Sequence, residues 1–280
     1  MPLGAFEVTA LLDGTVALPV RTMHDHTTPE RVDASLATAF LRSPLALSVN
    51  AYLVNTGDRL VLIDAGTSDL LGPALGALPA ALRASGYRPD DVDAVLLTHI
   101  HTDHSGGLML HGERVFPNAT VHANAREAGY WLDAGNLDRA SEAGKRPFRE
   151  AAASIGPYQR AGRFRTFEDN ASPVASFGSI LRPGHTPGHS SIVVESGGET
   201  MVAWGDTTHG DVVQFREPGV GISFDVDSRA AAATRALAFQ DAADRRYWVA
   251  GAHVSFPGIG HVRRGAAGYE WVPANHNLGT

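Results

Sequence analysis

The segment Thr98–Gly107 constrains this chain more than any other stretch, because it places three histidines and one aspartate within six residues, directly after an apolar run. In an extended chain, residues two apart point the same way, so His99 and His101 can bind one metal ion from the end of a strand. Asp103 and His104 follow where the chain turns, and we expect them to face a second ion. A solvated histidine cluster would not follow a buried strand, so the segment predicts a metal site that holds two ions side by side.

The 280 residues include no cysteine. This excludes disulfides, a catalytic thiol, thiolate ligands to zinc and iron–sulfur clusters held by protein thiolates. A metal must then be held by imidazole and carboxylate groups, which suit zinc, manganese, cobalt or iron. We expect two divalent ions and favour zinc.

The composition is that of an ordinary globular protein, with 44% hydrophobic and 19% charged residues and a net charge of -7. The negative charge argues against nucleic acid or an anionic membrane as the main partner. No apolar run is long enough to span a bilayer. The first residues, Met1–Glu7, lack the basic and apolar regions of a secretory signal, so we expect a cytoplasmic location.

Short apolar segments predict strands in both halves of the chain. They are Phe6–Leu12, Thr15–Val20, Leu47–Val54, Leu60–Ile63, Val92–Leu97, Ile180–Arg182, Ser191–Glu195, Thr200–Trp204 and Tyr247–Ala250, with a hairpin over His261–Val272. Helices are predicted at Pro73–Ser85 with a kink at Pro79, within 124–160, and from Asp227 or Ser228 to Ala243. No linker or repeat divides residues 1–280, so the pattern predicts a single α/β domain with two sheets between helices.

Three further candidate ligands stand at strand ends or beside rigid turns. His189 lies in Gly184–Ser190, where proline and glycine fix the backbone. Asp206 ends an apolar strand, where a carboxylate can bridge two ions with one oxygen on each, and His253 ends another strand. Taken singly, such residues are more often hydrogen-bonded loop residues. Together with Thr98–Gly107 they indicate a complete metal site.

The chain resembles the metallo-β-lactamase superfamily of hydrolases over essentially its whole length. The resemblance lies in the order of four motifs: His-x-His-x-Asp-His, a histidine in Gly-His-Thr-Pro-Gly-His, an aspartate at a strand end and a histidine at a strand end. Leu47–Gly57 and Ser255–His261 look like the branch that contains methyl parathion hydrolase and its lactonase relatives. The resemblance implies a four-layer αββα fold, in which two mixed β-sheets are sandwiched between helices, and it favours a homodimer.

The resemblance also divides seven ligands between two ions. It implies one ion on His99, His101 and His189, the other on Asp103, His104 and His253, and a bridge by Asp206. Asp64 matches the family's early acidic residue and is expected to orient a ligand imidazole, the alternative being a turn cap after a strand. His185 is expected behind the ligands or packed against Pro187. The remaining histidines are interpreted as solvated or satisfied locally: His24, His26, His111, His122, His261 and His276.

The expected mechanism needs no serine or cysteine nucleophile. Two cations would share a bridging water, lower its pKa and give a hydroxide that attacks a carbonyl or phosphoryl centre. Asp103 is the candidate for proton transfer and Asp206 the bridging ligand. His209 is a candidate donor to the developing oxyanion where some lactonases carry a tyrosine, and the alternative is an ordinary loop histidine.

The substrate is less well defined by the sequence. Trp131 and Phe148 fall in segments where the resembling branch stacks aromatic side chains on an aryl leaving group, although aromatic residues on helices are as often core. Leu71 replaces a further aromatic residue of the parathion-hydrolysing type, which disfavours phosphotriesters. Arg21–Leu45 has few strand or helix signals and is predicted to be a long loop that covers the site.

We therefore expect a dinuclear hydrolase that acts on small-molecule lactones or aryl esters, with organophosphate triesters as side substrates. A β-lactam hydrolase is the first alternative, because the lack of cysteine excludes only the types with a thiolate ligand. A thioester hydrolase and a non-catalytic or electron-transfer member of the same fold are the others.

Overall fold

Neighbouring residues of the central strands enter two different apolar layers. In the computed structural model, which describes residues 1–275, Leu53 and Leu62 belong to one buried cluster and Val54 and Val61 to another. Successive side chains of a strand point to opposite faces of the sheet. A run such as these, apolar on both faces, therefore forms a strand that is covered on both sides.

The first sheet is mixed, with parallel pairing from its fourth strand onward and antiparallel pairing before it. With strands numbered in chain order, this sheet contains in spatial order β1 (Pro2–Leu3), β2 (Phe6–Leu18), β4 (Leu45–Asn55), β5 (Leu60–Ile63), β6 (Ala94–Leu96), β9 (Thr120–Asn124) and β10 (Phe164–Phe167).

The second sheet is also mixed, since its third and fourth strands are parallel and the rest antiparallel. In spatial order it contains β11 (Phe177–Leu181), β12 (Ser190–Ser196), β13 (Glu199–Ala203), β15 (Trp248–Ala250), β16 (Ile259–Arg264) and β17 (Tyr269–Pro273). Two short ribbons pair β3 (His24–Asp25) with β14 (Gly221–Ile222) and β7 (Met109–Leu110) with β8 (Glu113–Arg114).

Helices cover the outer face of each sheet. In chain order the α-helices of residues 1–275 are α1 (Val20–Met23), α2 (Pro29–Ala37), α3 (Leu78–Ala84), α4 (Thr102–Ser105), α5 (Ala125–Trp131), α6 (Ala134–Arg139), α7 (Lys145–Arg160), α8 (Val213–Arg216) and α9 (Ser228–Arg245). Of these, α1, α2 and α8 pack on one another in a separate apolar cluster. Side chains of α3 and α7 pack on the first sheet, and those of α9 pack on the second. The apolar layer between them joins the two sheets face to face. The predicted four-layer αββα fold is confirmed. None of the helices within 1–275 combines the length and apolar character needed to cross a membrane.

Two local predictions are wrong at the beginning of a helix. Pro79 does not kink a helix, because α3 begins at Leu78 and places this proline in its first turn, where the missing N–H has no helical partner to lose. Arg21–Leu45 is not one long loop, because it contains α2, whose N-cap Thr28 accepts a hydrogen bond from the Arg31 backbone N–H.

Histidines outside the metal motif do not all behave as expected. His24 is only 8% exposed and neither of its ring nitrogens has a hydrogen-bond partner, so the interpretation as solvated or locally satisfied is wrong for this residue. Burial lowers the pKa of its imidazole to about 4. His276 lies outside the described residues.

A bulge in β2 turns the Asp13 side chain into the protein. The pairing of β2 with β4 shifts register between Leu12 and Gly14, so β2 is one bulged strand where two shorter ones were predicted. The fully buried Asp13 carboxylate accepts hydrogen bonds from the Thr67 N–H at 3.0 Å and the Thr67 hydroxyl at 2.8 Å. It also accepts from the N–H groups of Gly76 at 3.1 Å and Leu78 at 3.0 Å. This one carboxylate therefore fixes the connection between β5 and α3.

We expect Asp13→Asn to destabilise the fold by about 1–3 kcal/mol, because an amide nitrogen must then face at least one of these buried donors. Urea unfolding followed by circular dichroism measures the change. Asp58→Asn, in an exposed turn, is the control and should stay within about 0.5 kcal/mol of the parent. Equal midpoints for the two variants would contradict the role assigned to Asp13.

Candidate metal centre

Both sheets deliver polar side chains to one edge of the interface between them. His99 follows β6 of the first sheet, and the short helix α4 carries Asp103 and His104 immediately afterwards. From the second sheet, Asp206 follows β13 and His253 follows the parallel strand β15. Because the carboxyl ends of parallel neighbours meet at the same edge of a sheet, residues distant in sequence come together here.

The two carboxylate oxygens of Asp206 face different imidazoles. Its Oδ2 lies 3.1 Å from His185 Nε2 and 3.8 Å from His99 Nε2. Its Oδ1 lies 3.0 Å from His104 Nε2 and 3.1 Å from His253 Nε2. Asp206 is 3% exposed, so these imidazoles replace water around it. One carboxylate thus sits between two separate groups of nitrogen atoms.

Two of the groups of side chains that could hold an ion flank this carboxylate. They are His99, His101, His185 and Asp206 on one side and Asp103, His104 and His253 on the other, and within each group the ligand atoms lie within 4.8 Å of one another. His101 Nδ1 is 2.9 Å from His185 Nε2, and Asp103 Oδ2 is 3.2 Å from His253 Nε2. Nitrogen and carboxylate donors at this spacing suit divalent metal ions.

Several polar atoms at the centre of the site are buried without a hydrogen bond. His99 Nε2, His104 Nε2 and Asp206 Oδ1 have no hydrogen-bond partner in the described part of the chain. A buried polar atom without a partner costs free energy. A cation among these atoms would remove that cost, so the donor set fits one.

The electrostatics of the site also fit cations. Burial, followed by the neighbouring imidazoles, holds the pKa of His99 well below its ordinary value and that of His101 at about 3, so both rings are neutral. Burial alone would raise the pKa of Asp206, but His253 and His104 outweigh it and keep that pKa well below the usual range. Neutral imidazoles and an ionised carboxylate are the protonation states that metal ligands require. Burial lowers the pKa values of His185 and His253, but Asp206 outweighs it and raises them to about 9 and about 10, so an ion bound there would displace a proton from each ring.

The structure differs from the sequence prediction in which histidine of the Gly184–Ser190 turn joins this cluster. His189, predicted to be a ligand, lies outside the clusters because both of its ring nitrogens are engaged elsewhere: Nε2 accepts from the Asp206 N–H at 2.9 Å and Nδ1 lies 2.9 Å from the Arg182 carbonyl oxygen. His185, expected behind the ligands or against Pro187, occupies the position instead. His189 supports the backbone of Asp206 from behind.

Other side chains and carbonyl groups hold the imidazoles in orientation. Asp64 Oδ2 lies 2.9 Å from His104 Nδ1, while its Oδ1 accepts from the Thr98 N–H at 2.8 Å. The Ser48 carbonyl oxygen lies 2.9 Å from His253 Nδ1. Engaging Nδ1 in this way leaves Nε2 free to bind an ion.

Glu127 ties the two ligand-bearing loops together. Its fully buried carboxylate accepts from the Ile100 N–H at 3.0 Å and the Trp131 indole N–H at 2.8 Å through Oε1. Through Oε2 it accepts from the Thr186 hydroxyl at 2.8 Å and the Gly188 N–H at 2.9 Å. Burial raises the pKa of this carboxyl, and the four donors act against that shift.

His209 forms a further group that could hold an ion, together with Asp206 and His253. Its Nε2 is 3.1 Å from Asp206 Oδ2, and its ring stacks on His253 with centroids 5.2 Å apart. The backbone N–H donates to Gln214 Oε1 at 2.7 Å, which fixes the residue in place. His209 Nδ1 is buried without a hydrogen-bond partner. Because the Asp206 carboxylate can only accept, the ring proton lies on Nε2 and Nδ1 is an acceptor.

The predicted pocket residues are not equally accessible. Trp131 and Phe148 are 5% and 6% exposed and belong to the core on the outer face of the first sheet, with Trp131 also contacting the His101 ring at 5.1 Å. Leu71 is 41% exposed. Phe224, which lies in no motif of the sequence, is 43% exposed with its ring 6.2 Å from that of His209. Phe224 therefore places exposed aromatic surface beside the cluster.

Residues 45–253 match the family described as the Metallo-beta-lactamase superfamily. A probable metallo-hydrolase of Mycobacterium tuberculosis is 31% identical over 183 residues, which cover 58% of this chain and 57% of that protein. The match thus spans little more than half the length of that relative.

Two solved structures match nearly the whole chain. The hydrolase AbOPH of the beta lactamase superfamily superposes with a TM-score of 0.94 at 34% identity, covering 99% of this chain and 97% of that one. AidC, a dizinc quorum-quenching lactonase in complex with a product, gives a TM-score of 0.89 at 27% identity, with coverage of 99% and 97%. The family match covers most of the chain, and the αββα architecture agrees with it. This chain therefore belongs to the metallo-β-lactamase superfamily.

Proposed function

We propose that this protein is a dinuclear metal-dependent hydrolase of lactones or aryl esters, with organophosphate triesters as side substrates. The observation that carries the proposal is Asp206, whose two oxygens each lie within 3.1 Å of an imidazole from a different group. The likeness to AidC, a dizinc lactonase, supports zinc as the metal and a lactone as the substrate. It also favours a lactone over the β-lactam alternative.

The proposed ligands follow the geometry. One ion would be held by His99, His101 and His185, the other by Asp103, His104 and His253, with Asp206 shared. Ions bound there would supply Lewis acidity to the substrate's carbonyl oxygen and lower the pKa of a water molecule.

The remaining chemistry falls to two side chains. Asp103, with its side chain 22% exposed, is the carboxylate of the site that solvent reaches, so it is placed to accept and release a proton. His209 would donate through Nε2, which lies 3.1 Å from Asp206 Oδ2 and carries the ring proton, to an oxygen that gains negative charge. Phe224 and Leu71 would supply apolar surface to the rest of the substrate.

Assembly as a homodimer and a cytoplasmic location stay predictions. Sedimentation velocity at micromolar protein concentration tests the first.

Asp206→Asn should reduce bound metal from two ions to one per chain and lower kcat/KM by about 100-fold or more, because an amide offers a single neutral oxygen in place of two charged ones. Metal analysis by mass spectrometry after gel filtration measures the first effect. Asp244→Asn, at an exposed ion pair with Arg264, is the control. Two retained ions and a parental rate would exclude the bridging role.

His185→Ala and His189→Ala test which histidine of the turn is a ligand. We expect His185→Ala to lose one ion, because an imidazole of the cluster is removed. His189→Ala should keep both ions and lose about 1–3 kcal/mol of stability, because the buried Asp206 N–H loses its acceptor. The reverse pattern of metal loss would restore His189 as the ligand.

The substrate class is tested with zinc-loaded protein by comparing kcat/KM for an aryl lactone and an aryl phosphotriester with the same leaving group. We expect a preference of about 100-fold or more for the lactone, equal to about 2.7 kcal/mol in transition-state stabilisation. A preference for the phosphotriester would mean that the site selects a tetrahedral phosphorus centre and that Leu71 does not disfavour it.

A further inference from the structure

A charged pair is buried behind the candidate metal centre. The side chains of Asp225 and Arg235 are 0% and 1% exposed, and Arg235 Nη2 lies 3.9 Å from Asp225 Oδ2. Burying two charges is costly, and apolar residues of similar volume often stabilise a fold as well or better. The pair therefore calls for an explanation beyond packing.

Asp225 holds the ring of His185. Its Oδ1 lies 2.8 Å from His185 Nδ1, and because a carboxylate can only accept, the ring nitrogen is the donor. The next residue, Val226, donates its N–H to the His185 carbonyl oxygen at 3.0 Å. Asp225 Oδ2 accepts from the Ile222 N–H at 3.1 Å, which fixes the carboxylate itself. His185 is thus held through its side chain and its backbone by two consecutive residues, and its Nε2 faces Asp206.

Arg235, from the middle of α9, reaches the other side of the same cluster. Its Nε donates to the Thr207 carbonyl oxygen at 2.7 Å, one residue after Asp206. Its Nη1 donates to the carbonyl oxygens of Val220 at 2.6 Å and Pro218 at 3.0 Å, in the segment that leads to Asp225. One guanidinium therefore connects the loop of Asp206 to the loop that orients His185. A planar group with several donors in fixed directions suits this task, and a lysine cannot reproduce it.

We propose that Asp225 and Arg235 are positioning residues that set the distance between His185 and Asp206, and so the affinity of the His99–His101–His185 group for its metal ion. The proposal rests on the proposed function. Neither residue belongs to the candidate ligand groups. Both act through the residues that do.

The test measures metal affinity in apo-protein rather than turnover. Cobalt(II) is titrated into metal-free parent, Asp225→Asn, Arg235→Lys and Tyr158→Phe, with the visible spectrum and a competing chelator reporting each binding step. Tyr158 is the matched control, because it is a fully buried hydrogen-bonding residue at the far face of the first sheet. Urea unfolding of each metal-free variant gives its stability separately.

We expect Asp225→Asn and Arg235→Lys to weaken one binding step by about 10–100-fold and leave the other unchanged, as is usual when a partner of a ligand imidazole is altered. Tyr158→Phe should lower the urea midpoint without changing either step. If both site variants bind two ions with parental affinities while their urea midpoints fall, the pair is structural and the proposal is overturned. A parent protein that binds no cobalt overturns the proposed function itself, and the positioning role with it.

Discussion

The carboxylate of Glu127 is the interaction on which the rest of the site depends. Four donors share its two oxygens, and they come from the loop that carries His99 and His101, from the turn that carries His185, and from Trp131. No cation lies close enough to neutralise it among these partners, so backbone and hydroxyl donors stabilise the charge. Removing any one of them leaves a buried charge less well solvated, which makes the network cooperative. Glu127 thereby fixes the loop of His99 and His101 relative to the turn of His185 without the help of a metal ion.

The same device recurs elsewhere in the fold. The side chains of Asp13, Asp64 and Asp225 are buried, and each accepts at least one backbone N–H from a loop that must hold a defined shape. In loops at the edge of a sheet, the backbone N–H and C=O groups have no neighbouring strand to bond with and need other hydrogen-bond partners. A carboxylate supplies several acceptor positions in one side chain, so one residue can fix a whole loop. At the candidate centre, Asp64 and Asp225 hold the loops in this way.

Contiguous motifs and strands could be predicted from the sequence, but contacts between residues distant in the chain could not. The His-x-His-x-Asp-His motif was visible because its residues are contiguous after a buried strand, and the strands were visible from their apolar runs. His185 and His189 could not be told apart, because both lie in one glycine- and proline-rich turn and only the position of the Asp206 N–H decides which ring faces inward. Glu127 and Arg235 gave no signal at all, since a lone charge on a helix normally marks a solvated face.

The division of the centre between two sheets has a consequence for the chain as a whole. The first half of the chain contributes the candidate ligands from His99 to His104, and the second half contributes those from His185 to His253. Away from this centre, an apolar layer joins the two sheets. An ion that binds only when the halves are docked adds its binding free energy to their association, by mass action. If the centre binds metal as proposed, separation of the two sheets would release the metal. Scarcity of metal would then lower the stability of the fold as well as the rate of the proposed hydrolysis. Selection for tight metal binding would also select a well-packed interface between the sheets.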